Sequence, residues 1–248
     1  MITHERESSR QPDPPGSAPK TVAIIPAAGA GVRMGIDRPK QYLELDGRPL
    51  LSVTLERFLV CPSVAAVILV APPEDLDYCR KMVVEPLDIN KSVQIVAGGK
   101  RRQDSVLKGI EASEGDFELV LIHDGVRPLV TISLIENVIF AARKGGAAIA
   151  ALPSKETVKE IGEDLMVTKT YDRRFVRLVQ TPQVFQYNDI LYAHRKAVEE
   201  GWDDVTDDAS LLEKIGIPIR VLEGGEDNIK VTTPYDLDLA RYLLKRQS

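Results

Sequence analysis

The chain has 248 residues, enough for one large domain or two small ones, and its 44% hydrophobic and 28% charged content is that of a soluble globular protein. A net charge of −5 argues against a general nucleic-acid binder, though not against a local cationic pocket for a small anion. No apolar stretch approaches the ~18 residues that cross a bilayer, so no membrane partner is expected.

Residues 1–20 mix charges with prolines and lack the apolar core of a signal peptide. They are expected to be a disordered tail, followed by a single domain over residues 21–248. Cys61 and Cys79 match no metal or redox spacing, which predicts two reduced thiols in a cytoplasmic protein.

The apolar runs TVAIIP (21–26), AAVILVA (65–71), SVQIVAG (92–98), FELVLIHD (117–124) and GAAIAAL (146–152) are near-continuous rather than alternating. Strands buried on both faces of a parallel sheet read this way. Helical patterns lie between them: Leu51, Leu55, Phe58 and Leu59 share a face, and Thr131 and Gly145–Gly146 are placed to start and stop a helix. The alternation predicts an α/β fold, a Rossmann-like, mostly parallel sheet flanked by helices, with ligands at the carboxyl ends of its strands. Residues 153–183 break the rhythm with short strand-like pieces around Gly162–Glu163–Asp164, where Val158 and Ile161 are expected to face Leu165 and Val167. This segment predicts a protruding β-hairpin arm (roughly 153–176), either a plain surface hairpin or one sheltered by another subunit. Helices (about 187–200 and 207–215), a strand (218–224) and a last helix, YDLDLARYLLKR, complete the chain.

The loop AAGAGVRMGIDRPKQY (27–42) follows the first strand. Gly29, Gly31 and Gly35 are spaced one residue too long for the dinucleotide fingerprint, and no Gly-Lys-Ser/Thr follows as a P-loop requires. A strand end followed by glycines does let backbone amides approach an anion closely. Arg33 and Lys40 would hang over that anion, and two cations with backbone amides suit a triphosphate. Pro39 restricts Arg38 and is expected to hold Lys40 on a rigid bend.

With GGKRRQDSVLKGI (98–110), HDGVRPLV (123–130), SKETVK (154–159), TPQVF (181–185), TDDASLLE (206–213) and NIKVTTPYDL (228–237) in the same order, the chain resembles the 2-C-methyl-D-erythritol 4-phosphate cytidylyltransferases. The resemblance covers nearly everything after residue 20. It implies transfer of CMP from CTP to a sugar-alcohol phosphate, a need for Mg²⁺, and a homodimer whose arms reach into each other's sites. It also implies that Arg33 and Lys40 stabilise the transition state. Ala27, Ala28, Gly29, Gly31, Gly98 and Ser105 would contact CTP, the cytosine being read largely by backbone groups and the serine. Asp124, Gly125, Arg127, Thr157, Arg173, Thr181 and Lys230 would meet the sugar phosphate, with Arg173 and Lys230 positioning it for attack. Thr157 and Arg173 lie on the arm and would serve the neighbouring subunit. Gly125 and Val126 stand where the family usually has two alanines, and a valine there is more typical of ribitol-5-phosphate cytidylyltransferases. Ribitol 5-phosphate is therefore the alternative acceptor, while TDDAS and the YDRR of the arm favour methylerythritol phosphate.

The chemistry agrees with these residue types. A phosphate monoester has a second pKa of ~6 and needs no general base near neutrality, so His123 and His194 are read as structural and His4 falls in the tail. The obstacle is the approach of one anion to another, which calls for cations. Mg²⁺ would be held mainly by the CTP phosphates, with Asp124 orienting it or the acceptor hydroxyls. Asp207 and Asp208, after Thr206, are read as helix-capping rather than as a metal pair. A non-catalytic nucleotide-binding module would keep the glycine loop but lack acceptor-site cations; here cations occur at three separated places, which favours an enzyme.

Overall fold

The computed structural model describes residues 20–29, 39–88, 91–113, 116–203 and 205–247. Residues 1–19 of the tail, Gly31, Arg33 and Gly35 lie outside them.

Seven strands form one sheet: β1 (Thr21–Pro26), β4 (Val64–Ala71), β5 (Val93–Ala97), β6 (Leu119–Ile122), β7 (Ala147–Pro153), β10 (Arg177–Gln186) and β11 (Arg220–Glu223), in the order β11-β7-β10-β6-β1-β4-β5. β10 runs antiparallel to β6 and β7, and the other neighbouring pairs are parallel. β2 (Glu44–Leu45) and β3 (Arg48–Pro49) pair beside it, and β8 (Lys159–Ile161) and β9 (Val167–Thr170) form the expected hairpin.

Alternation along β1 shows how the layers are built. Ala23 and Ile25 point into a core with Leu55, Phe58, Ile135 and Val138, so α1 (Leu50–Leu59) and α4 (Ile132–Gly145) cover that face. Val22 and Ile24 point the other way, against Val106, Ile110 and Ile190, where α3 (Arg102–Ala112), α5 (Tyr187–Glu199) and α6 (Asp208–Lys214) lie. Each such buried Ile or Leu contributes about 1.5–3 kcal/mol. A smaller cluster joins α7 (Pro234–Gln247) to Leu45, Leu50, Val126 and Val231. Between β4 and β5 the chain winds through helical turns that include α2 (Leu76–Tyr78).

The expected boundaries hold to within two residues for most elements, and Thr131 caps α4 by accepting from Leu134 N at 3.1 Å. Both cysteines are free and buried. Two expectations need correction. Leu165 does not face a strand: it sits in the hairpin turn with φ +62°, and Ile161 alone of its side pairs with Val167. The end of the 153–183 segment is not one more short strand-like piece: from Arg177 it enters a ten-residue strand inside the sheet, beyond the expected arm. Pro182 disguised it; it falls where the register with β7 shifts, between Val179 and Gln183, so no ladder bond there is sacrificed.

The chain runs from β1 to β4 and β5 on one side, then crosses to β6 on the other. The carboxyl ends of β1 and β6 therefore form a topological switch point, where an open α/β sheet leaves a crevice.

Candidate active site

Two strand ends meet on one wall of that crevice. After β1, Ala27 N donates to Val70 O at 2.8 Å; after β5, Gly98 N donates to Ala71 O at 2.8 Å. A side chain on Gly98 would come within 2.4 Å of Ala28 Cβ, so the loop after β1 packs this closely against residue 98 only because it is glycine. Ser105 closes the turn beyond it, accepting from Gly99 N at 3.0 Å and donating to Arg101 O at 3.1 Å. Lys40 opens a short turn, Lys40–Tyr42, closed by Tyr42 N donating to Pro39 O at 3.0 Å. The bend expected at Pro39 is thus present.

The opposite wall is built on the end of β6. Asp124 accepts from Arg102 Nε on Oδ1 at 3.2 Å, while its Oδ2 lies 2.9 Å from Lys230 Nζ and 3.6 Å from Arg127 Nε. Burial opposes the charge on Asp124, but the Arg102 guanidinium and then Lys230 outweigh it and hold the carboxyl below its usual range. Arg127 is itself buried, donating to Asn228 O at 2.7 Å. Val231 N donates to Val126 O at 2.9 Å, which pins the segment carrying Lys230 to the Asp124 loop.

The underside of the loop is fixed by His123. Its Nε2 lies 3.1 Å from Arg127 O, which can only accept, so Nε2 carries the hydrogen and Nδ1 accepts from the Thr181 hydroxyl at 3.0 Å. Burial pushes His123 down to about 4, so the ring is neutral near pH 7. Thr181 Oγ1 also accepts from Asp124 N at 3.1 Å. Its one proton being engaged, Thr181 supports the loop from below and has no hydrogen left to donate to a phosphate. Gln180 beside it donates to Gly225 O at 2.9 Å and accepts from Gly225 N at 3.3 Å, holding the turn before Lys230.

The geometry thus brings Ala27, Ala28, Gly29, Lys40, Ser105, Asp124 and Lys230 around one pocket, with Gly98, Gly125, Arg127 and Thr181 directly behind them. Thr157 and Arg173 stand apart on the exposed arm, where Arg173 Nη1 donates to Lys155 O at 3.1 Å. Gly31 and Arg33 lie outside the described residues. Lys100, Arg101 and Arg102 also line the pocket and were not singled out from the sequence, although the run KRR beside a strand end was a visible signal. Asp208 was misread. Asp207 caps α6 through Ser210 N at 3.1 Å, but Asp208 is fully buried and paired with Arg102 at 2.6 Å.

Among the described lining residues five are cationic (Lys40, Lys100, Arg101, Arg102, Lys230) and Asp124 is the one carboxylate. Both oxygens of that carboxylate already face cations, and no cluster of three metal-ligating side chains occurs among the described residues. This donor set fits a Mg²⁺ ion brought in on substrate phosphates, not one caged by protein.

The departure from the alanine pair is absorbed by packing. A Cβ on Gly125 would come within 2.9 Å of Leu51 Cδ1 and 3.2 Å of Ala27 Cβ, and Val126 packs with Leu45, Leu50 and Val231.

The family model described as 2-C-methyl-D-erythritol 4-phosphate cytidylyltransferase matches residues 21–246. The chain belongs to this family. A cytidylyltransferase of that name from Syntrophus aciditrophicus is 46% identical over 92% of the chain and 97% of its own length. One from Desulforamulus reducens is 43% identical over 92% and 97%. Among solved structures, the 4-diphosphocytidyl-2C-methyl-D-erythritol synthase of Anaerococcus prevotii aligns with a TM-score of 0.82 and 35% identity, covering 92% of this chain and 97% of that one. The 2-C-methyl-D-erythritol 4-phosphate cytidylyltransferase of Thermus thermophilus aligns at 0.73 and 34%, covering 91% and 99%. These relatives carry the erythritol name rather than the ribitol one.

Proposed function

We propose that the protein transfers CMP from CTP to 2-C-methyl-D-erythritol 4-phosphate, giving 4-diphosphocytidyl-2-C-methyl-D-erythritol and pyrophosphate. The observation that carries this reading is the pocket at the β1/β6 switch point, whose described lining includes five cationic side chains and one carboxylate, Asp124, held between Arg102 and Lys230. The acceptor's phosphate oxygen attacks the α-phosphorus of CTP; a new P–O bond forms and the bond to the β-phosphate oxygen breaks. An ionised monoester has no proton to lose, so the residues need only position two anions and stabilise charge. Ala27, Ala28, Gly29, Gly31, Gly98 and Ser105 hold the nucleotide, while Lys40, with Arg33, faces the triphosphate. Asp124 and Lys230 receive the acceptor, with Gly125, Arg127 and Thr181 holding their loop. Mg²⁺, held mainly by the CTP phosphates, would supply charge neutralisation on the triphosphate and leaving pyrophosphate, with Asp124 acting on it indirectly.

The arm supports a homodimer. Leu165, Met166, Val167 and Phe175 are each more than half exposed on it, an apolar surface that a second copy would cover. Thr157 and Arg173 would then complete the partner's acceptor site. The enzyme acts in the cytoplasm, in agreement with two unpaired cysteines.

Pyrophosphate release with CTP, compared between methylerythritol 4-phosphate and ribitol 5-phosphate, tests the acceptor. Turnover with the former at least about tenfold faster in kcat/KM is expected; a preference for ribitol 5-phosphate overturns the assignment, and CTP binding with no pyrophosphate release with either acceptor points to a non-catalytic nucleotide-binding module.

A further inference from the structure

Arg102 opens α3 at the rim of the pocket and divides its guanidinium between two carboxylates far apart in sequence. Nε donates to Asp124 Oδ1 at 3.2 Å and Nη1 to Asp208 Oδ2 at 2.6 Å. Asp208 is fully buried at the start of α6, and its other oxygen lies 3.2 Å from Nε2 of the buried His194. An ion pair with one partner fully buried is a poor source of stability, since the desolvation of Asp208 offsets much of the attraction. What it does supply is direction. A guanidinium anchored through Nη1 presents Nε at a fixed place and angle, because the fork is planar and rigid.

Asp124 is what that nitrogen meets. With Oδ1 held by Arg102, the carboxylate must turn Oδ2 toward Lys230 at 2.9 Å and Arg127 at 3.6 Å. Arg102 itself is a weak candidate for a phosphate ligand, because two carboxylates already offset its charge. We propose that Arg102 is a positioning residue for the transfer reaction, acting on the acceptor through Asp124, and that Asp208 backed by His194 is its buried anchor. The inference rests on the reading of Asp124 and Lys230 as the acceptor site.

The test is steady-state kinetics with each substrate varied in turn, for Arg102→Ala, Arg102→Lys, Asp208→Asn, Asp124→Asn and the Arg102→Ala/Asp124→Asn double variant. CTP affinity by calorimetry and thermal unfolding accompany each. Arg102→Ala is expected to lower kcat/KM for the sugar phosphate by about tenfold or more while CTP affinity stays within about threefold. Arg102→Lys recovers part of the loss, since an ammonium reaches one carboxylate better than two. Asp208→Asn moves the same parameter in the same direction. In the Asp124→Asn background, Arg102→Ala costs less than about twofold, the mark of two residues acting as one unit.

An equal cost of Arg102→Ala with or without the Asp124 carboxylate overturns the inference, as does a loss of CTP affinity matching the loss for the acceptor, or wild-type kinetics in Asp208→Asn. Should Asp208→Asn fail to fold, the Arg102→Lys recovery and the double variant decide. Wild-type acceptor kinetics in Asp124→Asn defeats the acceptor-site reading and the inference together; loss there without coupling defeats the inference alone.

Discussion

Lys230 Nζ lies 2.9 Å from Asp124 Oδ2, the same carboxylate whose other oxygen takes Arg102. One anion thus organises more than one cation, and the excess positive charge is what an incoming phosphate meets. Lys230→Gln keeps much of the side-chain volume and removes the charge. It is expected to lower kcat/KM for the sugar phosphate by ~10²–10³, the scale of a lost charge-stabilising donor, with CTP affinity by calorimetry nearly unchanged. An equal loss for CTP would place Lys230 on the nucleotide instead.

Lys40 lines the pocket on the bend at Pro39, on the side we assign to the nucleotide. Its expected role is in the transition state, so Lys40→Ala should lower kcat by ~10²–10³ and leave the unfolding midpoint unchanged. A rise in KM alone, with kcat intact, would reduce it to a ground-state contact.

Arg173 lies on the exposed arm, outside its own chain's pocket. Arg173→Ala is therefore expected to raise KM for the sugar phosphate and spare CTP binding. In the proposed dimer, mixing Lys40→Ala with Arg173→Ala protein would give heterodimers with one intact site, so about a quarter of wild-type activity should return after full statistical exchange. No recovery after verified exchange would mean that the arm serves its own chain.

His123 is buried and its pKa falls to about 4 from an ordinary 6.5. Below pH 6.5 the unfolded chain binds the proton and the folded chain does not. Stability is thus fully present above 6.5 and is lost as pH falls toward 4, by roughly 3 kcal/mol in all. His123→Gln keeps a donor near Arg127 O and abolishes the titration. Urea unfolding as a function of pH should show a shallower acid slope for that variant; an unchanged slope would assign the transition to other groups.

Much of the sheet was legible because a parallel sheet buried on both faces writes itself as continuous apolar runs, as β1 and β4 do. β10 was hidden by Pro182, since a proline ordinarily excludes a central strand, and only the register shift explains its place. On the site, Gly29, Lys40, Asp124 and Lys230 were marked by motifs at strand ends and by resemblance. Arg102 and Asp208 were not, because their partnership joins residues 106 positions apart and leaves no local pattern. Thr181 was legible as a site residue by resemblance, but its supporting role depends on where a single proton goes, which needs the His123 and Asp124 geometry.

Phosphorus NMR of the wild-type protein with CTP, 2-C-methyl-D-erythritol 4-phosphate and Mg²⁺ bears most directly on the central claim. The expected result is a pair of diphosphate-diester resonances growing in step with free pyrophosphate, dependent on both substrates. Formation of CMP without the diester, of CDP with free phosphate, or of the diester from ribitol 5-phosphate alone would contradict it.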